Sequence, residues 1–287
     1  MTGATSRQRL ARAVAGTGWL VVKVSLLALI VVIALGPVVW QAITSVKPDG
    51  DLMRLPPLLP DDPTVVHYRT VLTESSLGRG LLNSAVVAVS VTALAIGLGG
   101  LCAFALARLP IGGKGLILSL VLFASMFPPI AVISPLYLLV RVLGLRDTLA
   151  GLILVHTTFA LPLVIWVLAN SFRQIPVELY WAAQVDGATA LRTFRSVILP
   201  VALPSLTVAA LLVFIYSWNE FMFALTLTAS ETSRTAPVAV ALFPGLHEVP
   251  WGDMAAATLI VIAPVVLVAL LFQKQIVAGL TTGSVKG

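Results

Sequence analysis

The chain carries little charge and almost no cysteine. Only 10% of its 287 residues are Asp, Glu, Lys or Arg, and Cys102 is the single cysteine. Soluble domains carry about 25% charged residues, so a water-facing surface is excluded for most of this sequence. One cysteine excludes an intrachain disulfide, and Cys102 lies in an apolar run as a small hydrophobic residue would. Histidine is scarce too: His67, His156 and His247 stand far apart, without metal-ligand spacing, so no metal site is expected. There is no Gly-rich phosphate loop, hence no nucleotide-binding signature. Basic residues do not cluster with aromatics, which excludes nucleic acid as an expected partner.

What the chain has is hydrophobicity: 59% apolar residues and a mean hydropathy of +1.02. A bilayer core about 30 Å thick needs about 20 apolar residues per helix. Stretches of that order run over 22–43, 81–107, 115–140, 148–172, 196–227 and 254–273. They predict an all-α membrane protein with six transmembrane helices in a domain over 19–280. A basic tail, 1–18, precedes it and a short tail, 281–287, follows. Phe221–Leu227 reads as the outer extension of the fifth helix. The first stretch is longer than the roughly 7–15 apolar residues of a signal peptide, and Val39-Trp40-Gln41 offers no cleavage site. An uncleaved first helix is expected.

Six spans put both termini on one side. With the N-terminus inside, eleven of the 18 lysines and arginines fall on inner segments, led by Arg7, Arg9 and Arg12. That bias predicts cytoplasmic termini and lipid around the spans. The outer segment 44–80 holds Pro48, Pro56, Pro57, Pro60 and Pro63, and reads as a stiff irregular strap. No inverted internal repeat is visible.

The segment between spans four and five is unlike its flanks. After Ile175-Pro176, Glu178 sits where a helix N-terminus favours a carboxylate. Leu179, Ala182 and Ala183 follow at i, i+3, i+4 and form a shallow apolar face. Asp186-Gly187 breaks the helix ahead of Ala188, and a second turn carries Leu191, Arg192, Phe194 and Arg195. This is either an interfacial helix in an ordinary loop or a cytoplasmic socket for a water-soluble partner.

Trp181-Ala182-Ala183-Gln184-Val185-Asp186-Gly187-Ala188, with Phe194 and Leu199-Pro200…Pro204, resembles the EAA loop of inner-membrane permeases of ATP-binding-cassette importers, in the carbohydrate-uptake branch. The position of the eponymous glutamate holds Trp181; Glu178 lies a turn earlier. Phe127-Pro128-Pro129 with Pro135-Leu136-Tyr137, Leu143-Gly144-Leu145, Asp147-Thr148, Phe159-Ala160-Leu161-Pro162 and Trp218-Asn219-Glu220 are similar to maltose-type permeases, in the same order. The ending Ala278-Gly279-Leu280-Thr281 to Gly287 is similar to the tail of the shorter subunit of permease heterodimers.

The resemblance covers most of the chain. It implies a non-catalytic subunit in a bacterial inner membrane, paired with a second permease. Two copies of a cytoplasmic ATPase, which bind the ATP and Mg, would dock on the loops, and an extracytoplasmic solute-binding protein would deliver a sugar. ATPase coupling falls on Glu178, Ala182, Ala183, Asp186, Gly187, Ala188, Arg192, Phe194 and Arg195. Tail contact falls on Thr281, Gly283 and Ser284.

Glu220 is the one carboxylate inside an apolar stretch. With Trp218 and Asn219 it either lines the solute pathway or pairs within the protein as a structural anchor. Glycerol phosphate or another polar solute is an alternative cargo, although no span interior holds the Lys or Arg that an anion would want. An ion-coupled secondary transporter has only that one carboxylate to work with, and no Ser/His or carboxylate pair sits at matched depth for an intramembrane hydrolase.

Overall fold

The computed structural model describes residues 6–52, 58–243 and 249–275. The chain ending, with Thr281, Gly283 and Ser284, lies outside the described residues. Two units divide the chain, one of 1–71 with 245–259, the other of 72–244 with 260–287.

The first unit carries α1 (Ser6–Thr44), whose apolar stretch from Trp19 to Thr44 is largely exposed. The strap after it is less irregular than its prolines suggest. It holds a 3-10 turn, Asp49–Asp51, and ends in α2 (Val66–Thr73). Side chains of α2 close it: Tyr68 Oη lies 2.8 Å from Ser45 Oγ. His67, only 2% exposed, sets Nε2 2.9 Å from the Lys47 carbonyl and Nδ1 2.7 Å from Asp253 Oδ1. The imidazole thus has a polar partner within reach of each ring nitrogen and bridges the strap to Asp253.

The second unit is built on α3 (Leu77–Arg108) and α6 (Leu149–Gln174). They approach closely because α3 presents Gly99, where a Cβ would stand 2.7 Å from Val164 Cγ1. Small residues at helix contacts are how apolar helices pack where lipid supplies no hydrophobic drive. Between them run α4 (Lys114–Ser125) and α5 (Pro129–Val142). After α6 come α7 (Val177–Val185), α8 (Ala190–Thr193), a π turn at Phe194–Ile198, α9 (Leu199–Val201) and α10 (Leu203–Asn219). Next are α11 (Met222–Leu227), α12 (Ala236–Ala241) and α13 (Trp251–Leu271), whose first turns belong to the other unit.

Among the described residues, four helices are long and apolar enough to cross a membrane, and two bent pairs raise that to as many as six. Both bent pairs depart from the continuous spans read over 115–140 and 196–227. The third bends by 91° between α4 and α5, where Pro128-Pro129 deprives the chain of two donors and Pro128 is extended (φ −65, ψ 128). The fifth bends by 84° at Ala202, just ahead of Pro204. Nor does Phe221–Leu227 extend the fifth helix. α10 stops at Asn219, Glu220 is extended (φ −66, ψ 125), and α11 starts afresh. Pro37, Pro135, Pro162 and Pro264 by contrast lie inside helices.

Candidate functional site

The loop after α6 is fastened before it begins. Arg108, at the end of α3, donates from Nη2 to the carbonyl of Phe172 at 2.6 Å and to that of Ile175. One guanidinium thus satisfies two carbonyls at the C-terminus of α6, where helices leave acceptors unpaired. Pro176 then opens α7. At its far end Ala188 N donates to Ala183 O at 2.9 Å and Gly187 N to Gln184 O at 3.0 Å. With Gly187 at φ +79, these bonds make a Schellman turn. Gln184 Nε2 reaches over the turn to Ala188 O (2.9 Å) and Thr193 Oγ1 (3.1 Å). Thr189 caps α8 by accepting from Arg192 N at 3.3 Å.

Phe194 is buried, its ring 4.9 Å from that of Phe104 and 6.2 Å from that of Phe172. Tyr180 of α7 adds a further ring 6.2 Å from Phe104. Phe194 therefore ties the loop to α3 and α6, whereas Glu178, Ala182, Asp186, Gly187, Arg192 and Arg195 are exposed. Ala183 and Ala188 are half-buried. The outward stripe of α7 is Glu178, Trp181, Ala182 and Val185, at i, i+3, i+4, i+7. Trp181 is 59% exposed and Val185 87%, so beyond Glu178 this stripe is apolar and faces outward. The sequence reading put the apolar face on Leu179, Ala182 and Ala183. It missed Val185, and it missed Arg108, Tyr180 and Thr189, which hold the loop in place.

A second constellation forms where α10 breaks. Glu220 lies over the first turn of α11, accepting from Phe223 N at 2.8 Å and Ala224 N at 3.0 Å. Its Oε2 is also 3.1 Å from Nε2 of His156, a fully buried residue of α6, outside good hydrogen-bond alignment. His156 Nδ1 in turn lies 3.0 Å from Ser217 Oγ. Trp218 is buried, stacked on Phe214, and donates from Nε1 to Val261 O at 3.2 Å. Asn219 is exposed and bonds back to Ile215 O. An open hollow of about 520 Å³ lies beside the break, lined among others by Pro129, Tyr216, Asn219, Glu220 and Met222.

A third set of polar contacts fixes the connection after α11. Asp147, itself at φ +60, accepts on Oδ1 from Ala229 N (2.7 Å), Ser230 N (3.0 Å) and the Ser233 hydroxyl. Asn83 Nδ2 donates to Thr232 O (3.0 Å) and Arg234 O (2.8 Å), and Ser84 Oγ accepts from Ala236 N (2.9 Å). Burial pushes the Asp147 carboxyl upward, but the bonds from Ala229, Ser233 and Ser230 outweigh it and hold the group well below the usual carboxylate range. A carboxylate depressed on folding adds stability above its unfolded value of about 3.9, and that stability is lost as pH falls through the folded value. Asp147→Asn should therefore lower the melting temperature at neutral pH and flatten its fall toward about pH 3. Parallel melting curves from neutral to acid pH check this; identical acid limbs would remove Asp147 as the anchor.

Residues 95–282 match the family described as the binding-protein-dependent transport system inner membrane component. The chain belongs to this family. Among curated relatives of this inner membrane component, it is 43% identical over 261 residues to the trehalose transport system permease protein SugB of Mycobacterium tuberculosis, covering 90% of this chain and 95% of that one. It is 40% identical over 262 residues to the trehalose/maltose transport system permease protein MalG of Thermococcus litoralis, covering 90% and 94%. A solved bacterial transporter involved in the import of the acidic polysaccharide alginate contains a chain of the same fold, with TM-score 0.79, 22% identity and coverage of 96% and 99%. The resemblance to importer permeases read from the loop and span motifs is borne out, as is the all-α membrane fold. As a member of this family the chain is a multi-pass membrane component of a transport system.

Proposed function

We propose that this chain is one of two permease subunits of an ATP-driven sugar importer in a bacterial inner membrane. The observation that carries the reading is the pair of relatives at 43% and 40% identity, both named for the transport of trehalose or of trehalose and maltose. The hollow at the α10 break supports a neutral solute, since no Lys or Arg lines it.

In this reading the termini and the loop around α7 are cytoplasmic, and a cytoplasmic ATPase seats on the outward stripe of Trp181, Ala182 and Val185. Trp181 replaces a carboxylate with an aromatic anchor, a residue type enriched where interface energy concentrates. Arg192 and Arg195 stand exposed beyond the turn to meet carboxylates of the partner. When ATP and Mg bind between two such ATPases and draw them together, the loop moves as one piece. Its Schellman turn, the Gln184 bridge and the Phe194 cluster give it no soft joint, so the motion passes to α3 and α6. The tail with Thr281, Gly283 and Ser284 would reach the ATPases. The exposed apolar length of α1 suits lipid and the second permease, and a solute-binding protein delivers cargo from outside.

Uptake of labelled trehalose or maltose by the reconstituted complex tests the reading. ATP depletion at a maintained ion gradient should abolish it, and an ionophore in the presence of ATP should not. The reverse pattern would make this an ion-coupled transporter.

A further inference from the structure

The geometry points to the hollow between two broken spans as a sugar subsite of this chain, with Tyr216 and Asn219 as the residues that read the hydroxyls. The inference rests on the sugar-importer reading and names its contacts. Two interruptions of helical backbone meet there. Pro129 begins α5 just after the 91° bend, and Asn219 to Phe223 carry the chain from α10 into α11; both line the one hollow. Non-helical backbone at membrane depth is tolerated where it is buried in protein or lines a water-filled cavity. Glu220 and its partners are buried, and the face left over is the hollow.

The chemistry of that face fits a pyranose ring. A pyranose has an apolar C–H face and a rim of hydroxyls. Sites for small molecules of about 300–1,000 Å³ are mostly apolar, with a few convergent polar groups that fix orientation. At about 520 Å³ the hollow falls in that range, and Pro129, Phe221 and Met222 supply apolar wall. Among the described residues the Tyr216 hydroxyl makes no hydrogen bond. Asn219 uses one amide hydrogen on Ile215 O, which leaves its carbonyl and second amide hydrogen for a ligand.

Glu220 also lines the hollow, yet it is not the reader. Both of its oxygens are committed, Oε1 to Phe223 N, and Oε2 to Ala224 N beside His156. It is a positioning residue that holds the break open. Trp218 faces Phe214 and Val261 instead. Of the three span residues singled out from the sequence, the subsite thus takes Asn219 directly and Glu220 as its support, and adds Tyr216.

The experiment uses the whole importer in proteoliposomes, with radiolabelled trehalose and radiolabelled maltose as probes. Uptake is read per ATP hydrolysed for wild type, Tyr216→Phe and Asn219→Ala. Loss of one or two hydrogen bonds to solute should reduce uptake per ATP by roughly three- to tenfold. The ratio of trehalose to maltose uptake should shift in at least one variant, with ATPase activity and assembly as in wild type. Unchanged uptake per ATP and an unchanged sugar ratio in both variants would overturn the subsite. Loss of ATPase activity or assembly in both would overturn it as well, since these residues would then be structural. A wild-type complex that moves neither probe under ATP strikes the importer reading itself, so the two failures are told apart by the control.

Discussion

Gly187→Val should leave the chain inserted in the membrane and, on the proposed docking of an ATPase at α7, strip that partner from it. The glycine sits at φ +79, a region β-branched residues all but avoid. Its surroundings do not complicate the expectation, because a Cβ built there meets nothing within 4 Å. The whole effect is backbone strain. Left-handed backbone costs an ordinary L-residue about 1–2 kcal/mol, and a branched Cβ adds to that. The turn relieves the strain by rotating φ negative, which breaks the bonds from Gly187 N to Gln184 O and from Ala188 N to Ala183 O. The α7 stripe then no longer holds its angle to Arg192 and Arg195. Gly187→Asn provides the control, since asparagine tolerates the left-handed region. The asparagine variant should retain ATPase and transport within a few-fold, whereas the valine variant loses both. The measurement is ATPase co-purified per permease, beside uptake. Wild-type amounts of ATPase and normal uptake in the valine variant would falsify the coupling role of this turn.

Much of this fold could be read from residue pattern, and the omissions share a cause. Apolar length alone marked the six stretches, because a bilayer imposes length on every crossing helix. The bend at Pro128-Pro129 was visible as prolines, but not that it would share a hollow with residues beyond α10. The break at Glu220 carries no proline or glycine. It exists because a carboxylate captures the first N–H groups of a new helix and a histidine of α6 stands beside it, and no local pattern encodes that pairing. The outward Trp181–Val185 stripe was missed for another reason. Apolar residues surround α7 on more than one side, so spacing alone fits a face through Leu179, Ala182 and Ala183 as well as one through Trp181, Ala182 and Val185. Arg108 read as one more topology-setting charge, since a lone arginine does not announce which helix end it will cap.

Glu220→Gln should lower the thermal stability of the complex, with uptake per assembled complex falling less than in Tyr216→Phe or Asn219→Ala. The carboxylate accepts two backbone N–H groups and lies 3.1 Å from a fully buried imidazole. A glutamine amide has one acceptor oxygen where the carboxylate has two. One of the two N–H groups of α11 loses its partner, and a buried unsatisfied donor costs about 1–3 kcal/mol. The carboxylate oxygen 3.1 Å from His156 Nε2 is lost or replaced as well. A second substitution separates these effects. In His156→Gln the imidazole is gone, so adding Glu220→Gln should cost less than it does alone, by an interaction energy of about 0.5–3 kcal/mol. If the two substitutions instead add, the side chains act independently and the pairing does not hold the break. Melting curves of the four proteins, each beside uptake per assembled complex, separate the outcomes. Normal melting with uptake reduced severalfold in Glu220→Gln would move this carboxylate from support to solute contact. The subsite would then include a carboxylate that accepts from sugar hydroxyls beside Tyr216 and Asn219.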